Sequence, residues 1–200
     1  MIAVLDYGIG NLRSAEKALQ KAGGDARLVT TAAEAEGATG VVLPGVGAFG
    51  RCMAELRASG LDAVALDAIA AGTPFLGICV GMQMLYEGSE EDPQVRGLAA
   101  IPAMVRRLPD GVKRPQMQWN VLQPVGRTSK LLDGLGAEAW AYFVHSYAAD
   151  ATDDVVATCD YGGSVVAAIE RGNVMATQFH PEKSSATGLA LLQNFVKLAS

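Results

Sequence analysis

The chain has 200 residues, 50% of them hydrophobic and 18% charged, with a formal net charge of −5. That balance belongs to a compact chain long enough to bury a core and excludes a disordered one. No run of Lys or Arg exceeds two residues, and no segment approaches the ~20 apolar residues of a membrane span, so neither a nucleic-acid partner nor a membrane is expected.

Met1 runs directly into the strand-like Ile2-Ala3-Val4-Leu5, without the basic and longer apolar segments of a signal peptide. A cytoplasmic protein is expected, and residues 1–200 read as one domain. The three cysteines, Cys52, Cys79 and Cys159, are odd in number and have no metal spacing with the two histidines, His145 and His180. A disulfide framework and a Cys/His metal centre are therefore not expected.

In chain order, residues 2–5 read as a buried strand. Asn11 caps a helix to about residue 22, which Gly23-Gly24 end. Strands are expected at 26–29, at 41–43 before Pro44-Gly45, and at 75–78. Helical patterns cover 51–58 and 61–71, and another helix runs from 80 to 86. This alternation predicts a mostly parallel sheet with helices on both faces. Beyond residue 100 the pattern changes to short strands at 103–108, 118–121, 139–144, 155–159, 165–170 and 174–179, separated by turn residues such as Gly162-Gly163 and Gly172-Asn173. These read as antiparallel additions. Ser184 or Ser185 then caps a last helix to about residue 198.

Gly77-Ile78-Cys79-Val80-Gly81 lies where the 75–78 strand meets a helix. A glycine-flanked nucleophile at such a turn is held in a strained, exposed position. The sulfur faces a helix N-terminus, whose partial positive charge favours an anion there. The backbone N–H of Val80 points towards any oxyanion formed at the sulfur. Cys52, in a helical pattern, and Cys159, in a strand, read as structural.

Gln178-Phe179-His180-Pro181-Glu182-Lys183 closes the last strand. Pro181 biases His180 towards an extended backbone, and residues two apart in an extended segment share a face. Glu182 can then accept a hydrogen bond from His180, fix its tautomer and support the imidazolium. His145 follows an aromatic strand and reads as a core or supporting residue.

Gly45-Val46-Gly47-Ala48-Phe49-Gly50 matches a dinucleotide pattern, but it follows the third strand and Pro44 interrupts its entry. It reads instead as a strand edge that turns backbone N–H groups towards Cys79.

Together these segments resemble the class I (triad) glutamine amidotransferases. Within that family, Asp6-Tyr7-Gly8-Ile9-Gly10-Asn11, Pro44-Gly45-Val46-Gly47-Ala48-Phe49 and Trp119-Asn120 are most similar to the glutaminase subunits that serve imidazole glycerol phosphate synthase. The resemblance implies a flavodoxin-like three-layer α/β fold. It implies Cys79 as nucleophile, His180 as acid and base, and Glu182 as orienting carboxylate. It further implies Gln83, Glu91, Ser146 and Tyr147 as holders of L-glutamine, Gly47 and Val80 at the oxyanion hole, and Trp119, Asn120, Tyr142 and Lys183 on a face that docks a (β/α)8-barrel cyclase. The ammonia would pass to that cyclase for histidine biosynthesis. Gln118 and Gln116 depart from the family's usual glycine and histidine, and both are expected on the docking segment. A glutaminase serving pyridoxal phosphate synthesis, or a non-catalytic module of the same fold, are the alternatives.

Overall fold

The computed structural model describes residues 1–200. The first half contains β1 (Ile2–Leu5), α1 (Leu12–Lys21), β2 (Ala26–Val29), α2 (Ala32–Ala35), β3 (Gly40–Gly45), α3 (Phe49–Ala58), α4 (Leu61–Ala70), β4 (Phe75–Cys79) and α5 (Val80–Gln83). Next come β5 (Tyr86–Ser89), β6 (Asp92–Arg96), β7 (Ile101–Arg107), β8 (Gln116–Val121), β9 (Gln123–Pro124), β10 (Trp140–His145) and β11 (Tyr147–Ala149). β12 (Val155–Asp160), β13 (Ser164–Arg171), β14 (Val174–Thr177) and α6 (Ser185–Leu198) close the chain.

Eight strands form the main sheet in the order β2-β1-β3-β4-β14-β13-β12-β9. The first five are parallel and the last three are added antiparallel. Every residue of β1, β3, β4 and β14 is buried, as parallel strands covered on both faces must be. Helix α1 packs with α6, and α4 packs with α2 and α3, so the sheet lies between two helical layers. β11, β7, β5 and β6 form a second sheet, and β8 with β10 form a two-stranded ribbon. The expected α/β architecture is present, and the parallel order begins as in flavodoxin-like sheets. No helix is long and apolar enough to cross a membrane.

Several expectations need correction. The helix expected at 80–86 is one turn, Val80–Gln83, and Tyr86 already opens a strand. Residues 79–86 are all buried, so the apolar pattern has no polar side to reveal its period. The chain at 97–98 takes the carbonyls of Met84 and Glu87, which a continuing helix would need. The last strand, expected to 179, ends at Thr177. There Gln178 N–H bonds Ala167 O, and His180 N–H crosses to Tyr142 O. The short helix α2 and the strands β5, β6, β9 and β11 have no counterpart in the expected elements. Thr31 accepts from Glu34 N–H at 3.3 Å, so the Thr-x-x-Glu start of α2 was open to a sequence signal. Ser184 stands at the N-cap of α6 but caps nothing; its hydroxyl donates to His180 O at 2.6 Å and accepts from Tyr142 N–H at 2.9 Å.

The contact that positions the site is between β3 and α5. A β-carbon at Gly81 would stand 1.8 Å from the Leu43 carbonyl oxygen, so only glycine permits this approach. Gly81→Ala is therefore expected to cost about 3 kcal/mol in urea unfolding. Exposed Gly136→Ala, which meets nothing within 4 Å, should stay within about 0.5 kcal/mol of the parent.

Candidate active site

Cys79 ends β4 with φ 56 and ψ −111, a left-handed backbone that a side chain rarely adopts. Such strain persists only where the surroundings impose it. Here β3 pairs on one side of β4 and β14 on the other, with Gly45 opposite Cys79. The sulfur is 3.8 Å from Gln178 Nε2. Cys79 and His180 line one cavity of about 550 Å³, a volume typical of small-molecule sites.

His180 has an extended backbone, with φ −97 and ψ 99. Its Nδ1–H donates to Glu182 Oε1 at 2.8 Å, and both side chains are almost wholly buried. The contact is not made along an extended strand, as the residue spacing suggested. Pro181–Lys183 forms a 3-10 turn that folds Glu182 back onto the ring. Burial opposes charge on this imidazole, but its contacts with the Cys79 thiol and the Glu182 carboxylate outweigh burial and push its pKa up to about 9.

The second histidine is set the opposite way. His145 Nδ1 meets Tyr147 O at 2.8 Å, and a carbonyl only accepts, so Nδ1 carries the proton. Burial pulls its pKa down to about 4, so the ring is neutral near pH 7. It lines the same cavity, yet its Nε2 has no protein partner.

The other expected residues fall in several settings. Gln83, Glu91, Ser146 and Tyr147 all line the cavity. Gln83 Nε2 donates to Tyr147 O at 2.9 Å and to Gln178 Oε1 at 3.0 Å, tying α5 to the segment after β10. Glu91 Oε2 accepts Phe49 N–H at 2.8 Å, a carboxylate at the start of α3. Gly47, at φ 87, and Val80 also border the cavity. Gly47 N–H is bonded to no protein acceptor. Three residues missed in the sequence reading stand here too: Gly10 and Asn11 on the wall, and Gln178 against the sulfur. All three lie inside motifs already quoted, but nothing in their spacing marks a role.

The β8–β10 ribbon has two unlike faces. Trp119 lies directly opposite Tyr142, their rings 6.0 Å apart edge to face. Met117, Trp119 and Trp140 are about half exposed, whereas Phe143 and His145 point into the core. Asn120 spends its amide on Asp160 O at 2.8 Å. Lys183 is exposed and reaches the cavity wall. Gln116 does not lie on the ribbon's outer face: it is fully buried, with its amide against Cys159. Gln118 is exposed. No group of three or more His, Cys, Asp or Glu side chains could hold a metal ion.

Comparisons with known proteins bear on the family and the fold. The family described as glutamine amidotransferase class-I matches residues 3–199. The imidazole glycerol phosphate synthase subunit HisH of Methanothermobacter thermautotrophicus is 51% identical over 199 residues, covering 99% of this chain and 98% of that protein. The subunit of the same name from Deinococcus radiodurans is 49% identical, covering 97% and 92%. A solved glutamine amidotransferase superposes with a TM-score of 0.78 at 23% identity, covering 99% and 98%. PurLQS from Thermotoga maritima gives 0.79 at 18%, covering 98% and 97%. At such identities the structures speak for the fold alone.

The raised imidazole pKa has a consequence for stability. A histidine charged more readily in the folded than in the unfolded chain stabilises fully below its unfolded value of 6.5, and loses that contribution as pH rises through about 9. Urea unfolding should therefore weaken between those limits, and Glu182→Gln should flatten the slope. Equal slopes in both proteins would contradict the assigned contact.

Proposed function

The chain belongs to the class-I glutamine amidotransferase family, and from that premise we propose that it is the glutaminase subunit of an imidazole glycerol phosphate synthase. In this reading residues 1–200 act as one amidotransferase domain that hydrolyses L-glutamine and delivers ammonia to a (β/α)8-barrel cyclase. The observation that carries it is a sulfur and an imidazole on one cavity, with a buried carboxylate 2.8 Å behind the imidazole.

The Cys79 sulfur, having given its proton to His180, attacks the side-chain carbonyl carbon of glutamine. The tetrahedral oxyanion is held by backbone N–H groups at Gly47 and Val80. His180 returns the proton to the departing nitrogen, ammonia leaves, and a γ-glutamyl thioester remains. Water, deprotonated by His180, attacks the thioester, and glutamate and the thiol are released. Glu182 keeps Nδ1 protonated so that Nε2 faces the chemistry. No step draws on a metal or an organic cofactor.

Glutamine would lie along Gln83, Glu91 and the Ser146–Tyr147 backbone. The outer ribbon face with Trp119 and Tyr142, together with Asn120 and Lys183, would dock the cyclase. An apolar patch of this kind on a two-stranded ribbon is what a protein partner covers. In this reading the barrel would form imidazole glycerol phosphate and aminoimidazole carboxamide ribonucleotide in histidine biosynthesis, and the pair would work in the cytoplasm.

Two assays test this. Cys79→Ala should lower glutaminase turnover in the assembled enzyme by at least about 10³-fold. Trp119→Ala should weaken binding to the cyclase by about 2 kcal/mol in titration calorimetry. Turnover that survives the first change refutes the nucleophile, and unchanged affinity after the second refutes the docking face.

A further inference from the structure

Gln178 is fully buried two residues before His180, in the segment that follows β14. Its backbone N–H bonds Ala167 O on β13, and Thr177 Oγ1 donates to Phe179 O at 3.0 Å, so the segment is fixed. Phe179 packs its ring against Phe143 in the core. Side chains alternate along an extended segment, so Gln178 and His180 share the opposite face. That face is turned to Cys79. The sulfur meets two polar side chains there, the His180 imidazole and the Gln178 amide, whose nitrogen is 3.8 Å away.

Which end of the amide faces the sulfur decides its effect, and a chain of hydrogen bonds settles the orientation. Tyr147 O can only accept, so the end of Gln83 that meets it at 2.9 Å is the NH2 group. The same nitrogen meets the Gln178 side chain at 3.0 Å, and a donor there requires the Gln178 oxygen. The Gln178 nitrogen is left facing Cys79 Sγ. His145 Nδ1–H also donates to Tyr147 O, at 2.8 Å, so that carbonyl is held as well. Gln83 is almost wholly buried, and reversing either amide would set like groups against each other with no water to relieve them.

An N–H donor favours a sulfur that carries negative charge over a neutral one. The hydrolysis needs that charge twice. The thiolate attacks the glutamine amide, and it leaves again when the water adduct of the thioester collapses. At both moments a neutral amide holds the charge without exchanging a proton.

We propose that Gln178 is a further catalytic residue: its side-chain N–H donates to the Cys79 sulfur and stabilises the thiolate, with Gln83 and Tyr147 O holding the amide in that orientation. The inference rests on the reading of Cys79 as the glutaminase nucleophile. Gln178 is not on the cavity wall, so it acts on the sulfur and not on the substrate. The titratable groups around the sulfur are His180 with Glu182 behind it, Tyr7 and Cys52, both kept neutral by burial, and His145 and Glu91 on the shared cavity. Gln178→Met leaves all of them in place and removes the amide.

The test is alkylation of the assembled enzyme by iodoacetamide, a small uncharged probe, as a function of pH, with adducts assigned by peptide mass mapping. Glutamine hydrolysis and thermal unfolding are measured on the same proteins, with Cys79→Ala as the control. Gln178→Met should slow alkylation of Cys79 at neutral pH about tenfold, and the gap should close at alkaline pH, where the thiol ionises in both proteins. Its kcat at neutral pH should fall about tenfold, with KM within about threefold. A merely disordered site would be slowed by the same factor at every pH. If Gln178→Met does not fold, Gln178→Leu takes its place. An alkylation profile with the parental pH dependence, a gap that persists at alkaline pH, or an unchanged kcat overturns the inference. Glutamine hydrolysis that survives in Cys79→Ala would instead overturn the glutaminase reading beneath it, so the two failures are distinct.

Discussion

The closest approach in the molecule that matters for function lies between the Leu43 carbonyl and Gly81, where a single methyl group would not fit. At that approach α5 starts directly from the tip of β4, and Cys79 between the two has a positive φ of 56. A residue of this type in that region stores of order 1–3 kcal/mol, which the flanking buried strands must offset. β3 and β14 do so, pairing with β4 along almost its whole length. The sulfur consequently stands beside the glycine loop that follows β3 and beside the segment that follows β14. Both halves of the proposed chemistry, oxyanion donors and imidazole, reach Cys79 because of where β4 sits in the sheet.

His180 is brought there by a different strand. Its N–H bonds to Tyr142 O, its carbonyl accepts from Ser184 Oγ, and the same hydroxyl accepts Tyr142 N–H. β10 therefore fastens the imidazole's backbone at the very residue whose ring packs on Trp119 at the exposed ribbon face. One face of the strand holds Phe143 and His145 in the core, and the other carries the exposed apolar side chains. A protein that pressed on the ribbon would act on the hydrogen bonds that place His180, with no intervening loop to absorb the shift. The two histidines also diverge: His180 is held ready to carry a proton, and His145 is kept neutral by burial and a carbonyl acceptor.

Much of the parallel half of the fold was legible, because β1, β3 and β4 are apolar runs and Gly23-Gly24 stop the first helix. The 26–29 strand matches its expected bounds, and the helix after Asn11 ends one residue early. Legibility failed where burial hid the period, as at 80–86, and where strands were only two to five residues long and owed their existence to neighbours. At the site, glycine spacing singled out Cys79, and His-Pro-Glu singled out the buried His180–Glu182 pair. The reason given for the His180–Glu182 contact was nevertheless mistaken, since a 3-10 turn makes it. Gln178 could not be read in advance, because it acts through contacts with residues distant in sequence. The burial of Gln116 was equally hidden: alternation in a ribbon says that faces differ, not which one meets the core.

The proposed chemistry requires that Cys79 alone among the three buried thiols be activated. Alkylation of the assembled enzyme by a glutamine-shaped chloroketone, followed by peptide mass mapping, tests it most directly. A single adduct on Cys79, formed more slowly in His180→Ala, is the predicted result. Modification of Cys52 or Cys159 with Cys79 left free, or no adduct at all, would contradict it.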